Sequence, residues 1–337
     1  MKNYSIKLAS ATIIYIGFAI YLYYPYLKYF SNWQYLFILN LCLAALGSYI
    51  LSQRWLAYFW TSVFAGVIYG FCPFTLGLAN YHPAAGLLAA VVPWFFLPAA
   101  FAGRLKWKWL SWPLCALPFL AVVGFFELTS LIHFFAIPSQ IKLEIADLGY
   151  MFFPMIAANR ARVLTGFYHL PTASLFMGFV MLFAARRVGI IVVLCLGLVL
   201  AIGGISFLNI SSIIWLAIPV LCCSILIGAG LEGLVSAGRS DRFWVLGAFV
   251  IMTALCLVSF QLSVRYASIL ADLTGVNYSV LLADTGKIYL AGAILTAGVF
   301  IFAQTNLRLR VFRIILICGA MAADIFWSAG YIVDKIF

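Results

Sequence analysis

The sequence predicts an all-α, polytopic transmembrane helical bundle of about eleven spans, with a broken helical hairpin near residues 73–83. Three observations predict it. First, 66% of the residues are hydrophobic and 9% are charged, against about 25% charged in a soluble domain. Mean hydropathy is +1.13. Second, apolar runs long enough to cross about 30 Å of hydrocarbon recur from end to end. No polar stretch is long enough for a separate soluble domain, so residues 1–337 read as one integral membrane domain. Third, the prolines and the few polar groups gather at definite interruptions of those runs.

The chain opens with Lys2 and Lys7 ahead of an apolar run that ends in Tyr21-Leu22-Tyr23-Tyr24-Pro25-Tyr26. No small-residue cleavage site follows, so this run reads as an uncleaved signal anchor. The expected spans are 9–25, 35–51, 55–72, 84–103, 113–135, 164–185, 188–208, 212–236, 243–263, 288–304 and 312–332. The third and fourth flank the interruption. Pro removes a backbone donor and clashes with the preceding turn, so Cys72-Pro73 and Pro83 bracket a non-helical turn carrying Asn80, Tyr81 and His82. In lipid such a break survives only where protein or water satisfies the freed backbone groups. The other reading of this turn is a plain surface hairpin.

Between the fifth and sixth spans, residues 136–163 carry an amphipathic front, an apolar patch at Tyr150–Ile156, and then Asn159-Arg160-Ala161-Arg162. This segment is expected as an interfacial helix or a re-entrant piece. The sixth span holds Pro171, with His169 beside it. A second polar outside segment is expected at 265–287. All eleven prolines lie between Pro25 and Pro219, so the last three spans should be uninterrupted helices.

The formal charge of +11 does not point to nucleic acid, because the basic residues sit in small groups between apolar runs rather than on one face. Examples are Arg104/Lys106/Lys108, Arg186/Arg187, Arg239/Arg242 and Arg308/Arg310/Arg313. An N-terminus in the cytoplasm places 13 of the 20 Lys and Arg there and the C-terminus outside, as the positive-inside trend requires. That is the topology expected in a cell inner membrane. The eight cysteines lie in apolar runs without C-x-x-C spacing, and with three histidines there is no metal-ligand pattern. No nucleotide loop or hydrolase motif is present. No cofactor is implied.

Ionisable groups inside spans are costly and mark candidate sites. Glu127 and Asp324 are the two intramembrane candidates; Asp324 also reads as a plain interhelical hydrogen bonder. Glu232 lies near the cytoplasmic surface, within reach of Arg239 or Arg242. On the outside the topology collects His82, Glu144, Asp147, Arg160, Arg162, His169 and Asp272, with His82 and His169 weighed as catalytic or structural. Arg160 and Arg162 oppose the positive-inside trend, which suits a lipid phosphate held by planar guanidinium forks. Their ordinary alternative is pairing with Glu144 and Asp147.

Two blocks resemble a known family. One is Asn40–Phe101, with FAGVIYGFCPFTLGLANYHPAAG. The other is Gly166–Leu234, with GFYHLPTASLFMGFVMLFAARR, VLAIGG, IIWLAIPV and IGAGLEGLV. Together they are similar to the membrane core of the GT-C superfamily of polyprenyl-phosphate-sugar-dependent glycosyltransferases, especially its YfhO-like branch. The resemblance implies lipid-linked sugars or another anionic lipid of cell-envelope metabolism as substrate or partner. It also implies a catalytic carboxylate in a long first outside loop. Here that loop is only Tyr26–Gln34, without Asp or Glu. Glu144 or Asp147 would have to serve instead, or the scaffold lacks transferase activity. A transporter and a non-catalytic scaffold with membrane-protein partners are the other two classes the residues allow.

Overall fold

The computed structural model describes residues 2–30, 34–78, 83–101, 109, 111–129, 143–160, 163–186, 188–205, 211–269, 278–304 and 310–337. Among these residues the chain is all-α, without a strand. The helices are α1 (Lys2–Tyr23), α2 (Tyr35–Ser52), α3 (Phe59–Gly70), α4 (Pro73–Gly77), α5 (Pro83–Phe101), α6 (Ser111–Thr129) and α7 (Ile145–Gly149). They continue with α8 (Pro154–Arg160), α9 (Pro171–Ala184), α10 (Val188–Ile202), α11 (Ala217–Ser236), α12 (Arg242–Ile269), α13 (Tyr278–Gln304) and α14 (Arg310–Ile336).

Seven stretches among the described residues are long and apolar enough to cross a membrane. They are Tyr4–Tyr29, Tyr35–Ser52, Phe59–Gly77, Ser212–Ser236, Arg239–Tyr266, Tyr278–Ala303 and Val311–Ile336. The expected count of about eleven is therefore corrected. Four other apolar stretches, Ala85–Phe101, Pro113–Phe125, Pro171–Ala184 and Gly189–Ile202, are shorter among the described residues, although the helices α5 and α6 that hold the first two each run 19 residues. Hydropathy counts apolar residues whether or not they are helical. The 14 residues of α9 reach only about 21 Å at 1.5 Å per residue, against about 30 Å of hydrocarbon.

The exposed faces carry the same message. Along α12, Phe243, Val250, Leu257 and Val264 recur every seventh residue and are 67%, 55%, 65% and 73% exposed. An apolar stripe of that length is untenable in water and natural against lipid.

The chain folds as two compact units. The first comprises residues 1–145, 188–225 and 336–337; the second comprises 146–187 and 226–335. In the first, α2 packs against α3 and α5, and buried polar tips stitch neighbouring backbones. Tyr15 Oη donates to Val63 O at 3.1 Å, Tyr69 Oη to Ala89 O at 2.6 Å, Ser48 Oγ to Ala65 O at 3.2 Å and Trp94 Nε1 to Leu43 O at 3.0 Å. In the second, α12 and α13 form a long hairpin and α9 packs on α12. The helices α12, α13 and α14 run 28, 27 and 27 residues without a proline, as expected.

Three expectations are corrected locally. Residues 73–77 are a short helix rather than a non-helical turn: α3 stops at Gly70, Cys72 is extended, and Pro73 opens α4. Proline fits the first turn of a helix because its missing N–H has no partner there. Thr75 Oγ1 lies 3.0–3.1 Å from Tyr69 O, Gly70 O and Cys72 O, so its one proton is shared between two carbonyls at the end of α3 and that of Cys72, which also accepts the Leu76 N–H. Residues 79–82 lie outside the described set. The sixth expected span, 164–185, is helical only from Pro171; residues 163–170 are irregular and buried. The expected outside segment 265–287 is largely helix, since α12 runs to Ile269 and α13 starts at Tyr278.

Within the second unit, α9 and α11 approach at backbone contact. A Cβ on Gly178 would collide with Leu226 O, and one on Gly230 with Ser174 O. Small residues permit this approach where hydrophobic sorting against lipid gives no drive. Gly230→Ala and Gly178→Ala should each destabilise the protein by about 1–3 kcal/mol, read as a lower unfolding midpoint in detergent. Gly298→Ala, where nothing lies within 4 Å, should leave the midpoint unchanged or raised. Equal behaviour of all three would rule out the close approach.

Candidate functional site

The polar chemistry that the described residues bring together lies in the second unit. Irregular backbone at 163–170 delivers His169 to the interior. Two features make this path possible. Gly166 has φ +95°, and a Cβ there would run into the Met151 backbone. Pro171 then opens α9. Every residue from Val163 to Leu175 is buried.

His169 is fully buried, and Asp324 of α14 is 5% exposed. His169 Nδ1 lies 2.9 Å from Asp324 Oδ1, where an ionised carboxylate, an acceptor only, takes the hydrogen bond of the ring N–H. Leu170 N–H donates to Oδ2 at 2.7 Å, and Ser328 Oγ donates to Oδ1 at 3.2 Å. Three donors converging on one carboxylate favour the tautomer with the proton on Nδ1. Asp324 thereby also satisfies an N–H at the amino end of α9, where helix geometry leaves donors unpaired and favours negative charge.

Tyr289 of α13 meets the imidazole edge-on, with centroids 5.3 Å apart and planes at 82°. Its hydroxyl donates to Phe152 O at 2.7 Å. Three buried polar atoms of this unit have no partner among the described residues: His169 Nε2, Thr285 Oγ1 and, away from this pair, Arg313 Nε. Thr285 lies one turn before Tyr289 on α13. A carboxylate that orients an imidazole through Nδ1 and leaves Nε2 open is the arrangement of an oriented base. It equally supplies an acceptor for a buried polar atom or water.

A second feature of the same unit is a cavity of about 110 Å³ lined by Tyr150, Phe153, Ile156, Leu262, Tyr266, Tyr278 and Leu282. Its volume takes a segment of a ligand rather than a whole one. It is built from the apolar patch Tyr150–Ile156, from Leu262 of the expected ninth span, and from Tyr266, Tyr278 and Leu282, which fall in the expected outside segment 265–287. Arg160 ends the helix that begins at Pro154, four residues after Ile156 and so on the same helical face. Asn159 Nδ2 donates to Met155 O at 3.0 Å and to Tyr331 Oη at 2.8 Å, tying α8 to α14. In the first unit, a cavity of about 310 Å³ is lined by Leu88, Val91, Val92, Phe95, Phe96, Phe119, Ile214, Trp215 and Ile218. No ionisable group lines it.

The candidates fare differently. Asp324 and His169, flagged on separate spans, form one pair. Glu144 is exposed and Asp147 half-buried; Thr165 Oγ1 donates to the Asp147 backbone carbonyl at 2.6 Å. Glu127 lies on α6 and Arg160 on α8, with side chains outside the described set, as are His82 and Arg162 entirely. No cluster of three or more metal-ligating side chains occurs among the described residues, and all eight cysteines are free thiols. The sequence reading missed Tyr289, Tyr266 and Arg313. An aromatic or an arginine near a span end carries no signal of its own until a partner segment is packed against it.

These features define an integral membrane protein of the multi-pass α-helical class, with a buried His–Asp pair in its second unit. No protein-family profile, curated protein or solved structure matches the chain.

Breaking the pair should be costly. Asp324→Ala leaves three donors without their acceptor and should cost about 3–5 kcal/mol of stability; His169→Ala should cost about 1–3 kcal/mol. In denaturant unfolding, the double variant should lose less than the two single losses together. Strict additivity would show that the two side chains do not act on one another.

Proposed function

We propose that the protein is a multi-pass inner-membrane protein that handles an anionic, long-chain lipid of cell-envelope metabolism, GT-C-like in binding a polyprenyl-phosphate-linked sugar or a comparable lipid. The observation that carries this reading is the cavity lined by Tyr150, Phe153, Ile156, Leu262, Tyr266, Tyr278 and Leu282, with Arg160 one helical turn beyond Ile156 on the same helix. Aromatic rings with polar tips suit the boundary between acyl chain and head group. Arg160 and Arg162 supply bidentate donors for the phosphate. Asp147 lies on α7, which leads directly into the Tyr150–Phe152 turn at the cavity wall. This reading keeps the N-terminus in the cytoplasm and Arg160 outside.

A charge-assisted hydrogen bond to phosphate contributes about 1.5–3 kcal/mol. Arg160→Ala and Arg162→Ala should therefore each weaken retention of polyprenyl phosphate by about one to two powers of ten in native mass spectrometry. Arg160→Lys should weaken it too, because a point charge does not replace the planar fork. Ile156→Trp, which fills the cavity, should lower retention without a change at either arginine. Unchanged retention in all four variants would end the lipid reading.

A second reading is favoured by one observation, the His169–Asp324 pair with its open Nε2. Buried ionisable pairs inside spans serve as proton relays in transporters. On that reading, His169→Gln would abolish proton flux into liposomes while lipid retention stays intact.

A further inference from the structure

Arg313 lies in the first turn of α14 and is 7% exposed. A guanidinium has five N–H donors. Among the described residues this one makes a single hydrogen bond, from Nη1 to Ala237 O at 2.8 Å, just past the end of α11. Its Nε is enclosed without a partner. It forms no ion pair among the described residues.

Two fields act on this charge. The carboxyl end of α11 favours a cation, which accounts for the bond to Ala237 O. The amino end of α14, where Arg313 itself sits, favours an anion, because the first N–H groups of a helix have no partner within it. A buried guanidinium at a helix amino end therefore lacks half of its compensation.

The turn that Arg313 touches carries more positive charge. Arg239 and Arg242 are exposed, and the Arg242 guanidinium stands 4.9 Å from the Phe243 ring centroid. The carboxylate on this turn, Asp241, accepts the Gly238 N–H at 3.0 Å. Three membrane-crossing stretches end here: Ser212–Ser236, Arg239–Tyr266 and Val311–Ile336. Arg313 therefore lies at the level where a bilayer presents its phosphates, and basic pockets between span ends bind anionic head groups.

We propose that Arg313, with Arg239 and Arg242 on the adjoining turn, forms a binding site for the phosphate of an anionic membrane lipid. Arg313 supplies the partly enclosed fork, and the first-turn N–H groups of α14 supply further donors. The exposed pair adds longer-range attraction, of the order of 1 kcal/mol per charge near an anionic surface. This site is independent of the one that contains Arg160.

The test uses the whole chain carrying Arg160→Ala and Arg162→Ala, so that retained lipid does not report on the Arg160 site. Native mass spectrometry should show phosphatidylglycerol retained over phosphatidylcholine. Arg313→Gln should reduce that preference about tenfold, and Arg313→Lys should restore only part of it. Adding inorganic phosphate should leave the bound lipid in place. Should Arg313→Gln not fold, the double variant Arg239→Gln/Arg242→Gln carries the test and should show a smaller loss. The proposal is overturned if the parent shows no preference for phosphatidylglycerol. It is also overturned if folded Arg313→Gln retains that lipid as well as the parent, or the double variant does where Arg313→Gln does not fold. Complete displacement by inorganic phosphate would overturn the lipid assignment as well.

Discussion

Backbone hydrogen bonding in hydrocarbon is the constraint on which the rest of this structure depends. Each N–H and C=O must find a partner inside the protein, so every departure from helix needs a specific side chain to service it. At the end of α3 the servicing group is Thr75, within reach of three carbonyls. At the start of α9 it is Asp324, which accepts the Leu170 N–H. At Phe152 it is the Tyr289 hydroxyl, and past α11 it is Arg313. The polar residues of this apolar chain are few, and these lie where the backbone is open. That places structural and functional readings of Asp324 on the same atoms: it closes a helix end and at the same time orients an imidazole.

How much of this the sequence shows depends on range. Fold class follows from composition, and the uninterrupted course of α12, α13 and α14 follows from the absence of proline after Pro219. The break at Cys72-Pro73 is readable too, but its geometry is not. Proline costs a hydrogen bond inside a helix, as at Pro93 and Pro98 of α5 and Pro118 of α6, and fits the first turn without that cost, so the residue at the break after α3 begins α4. The span count fails for a related reason. Hydropathy treats residues 164–170 as part of a span, whereas Gly166 at φ +95° and Pro171 at the helix start keep them out of it.

Long-range pairing is beyond pattern reading. His169 and Asp324 are each conspicuous as polar residues in apolar runs, yet 155 positions separate them, and no periodicity links one to the other. The cavity beside α8 has the same character. Its half from Tyr150–Ile156 is visible as an apolar patch, while Leu262, Tyr266, Tyr278 and Leu282 join it because α12 and α13 extend beyond their hydrophobic cores. Helix ends of mixed polarity are where a hydropathy window loses its signal, and they are also where a head group and an acyl chain meet.

The two buried charges of the second unit show what separates a closed site from an open one. Asp324 receives three donors, close to the capacity of a carboxylate for directed bonds in a packed interior. The openness of that site is displaced onto its neighbour, at His169 Nε2. Arg313 has one acceptor for five donors and sits where spans end rather than mid-span. Burial cost falls with proximity to the interface, so a cation can persist there with incomplete compensation. A mid-span carboxylate cannot, which is why Asp324 gathers three donors. The depth of each charge thus determines how fully the protein itself must solvate it, and what remains unsolvated defines where a ligand has something to add.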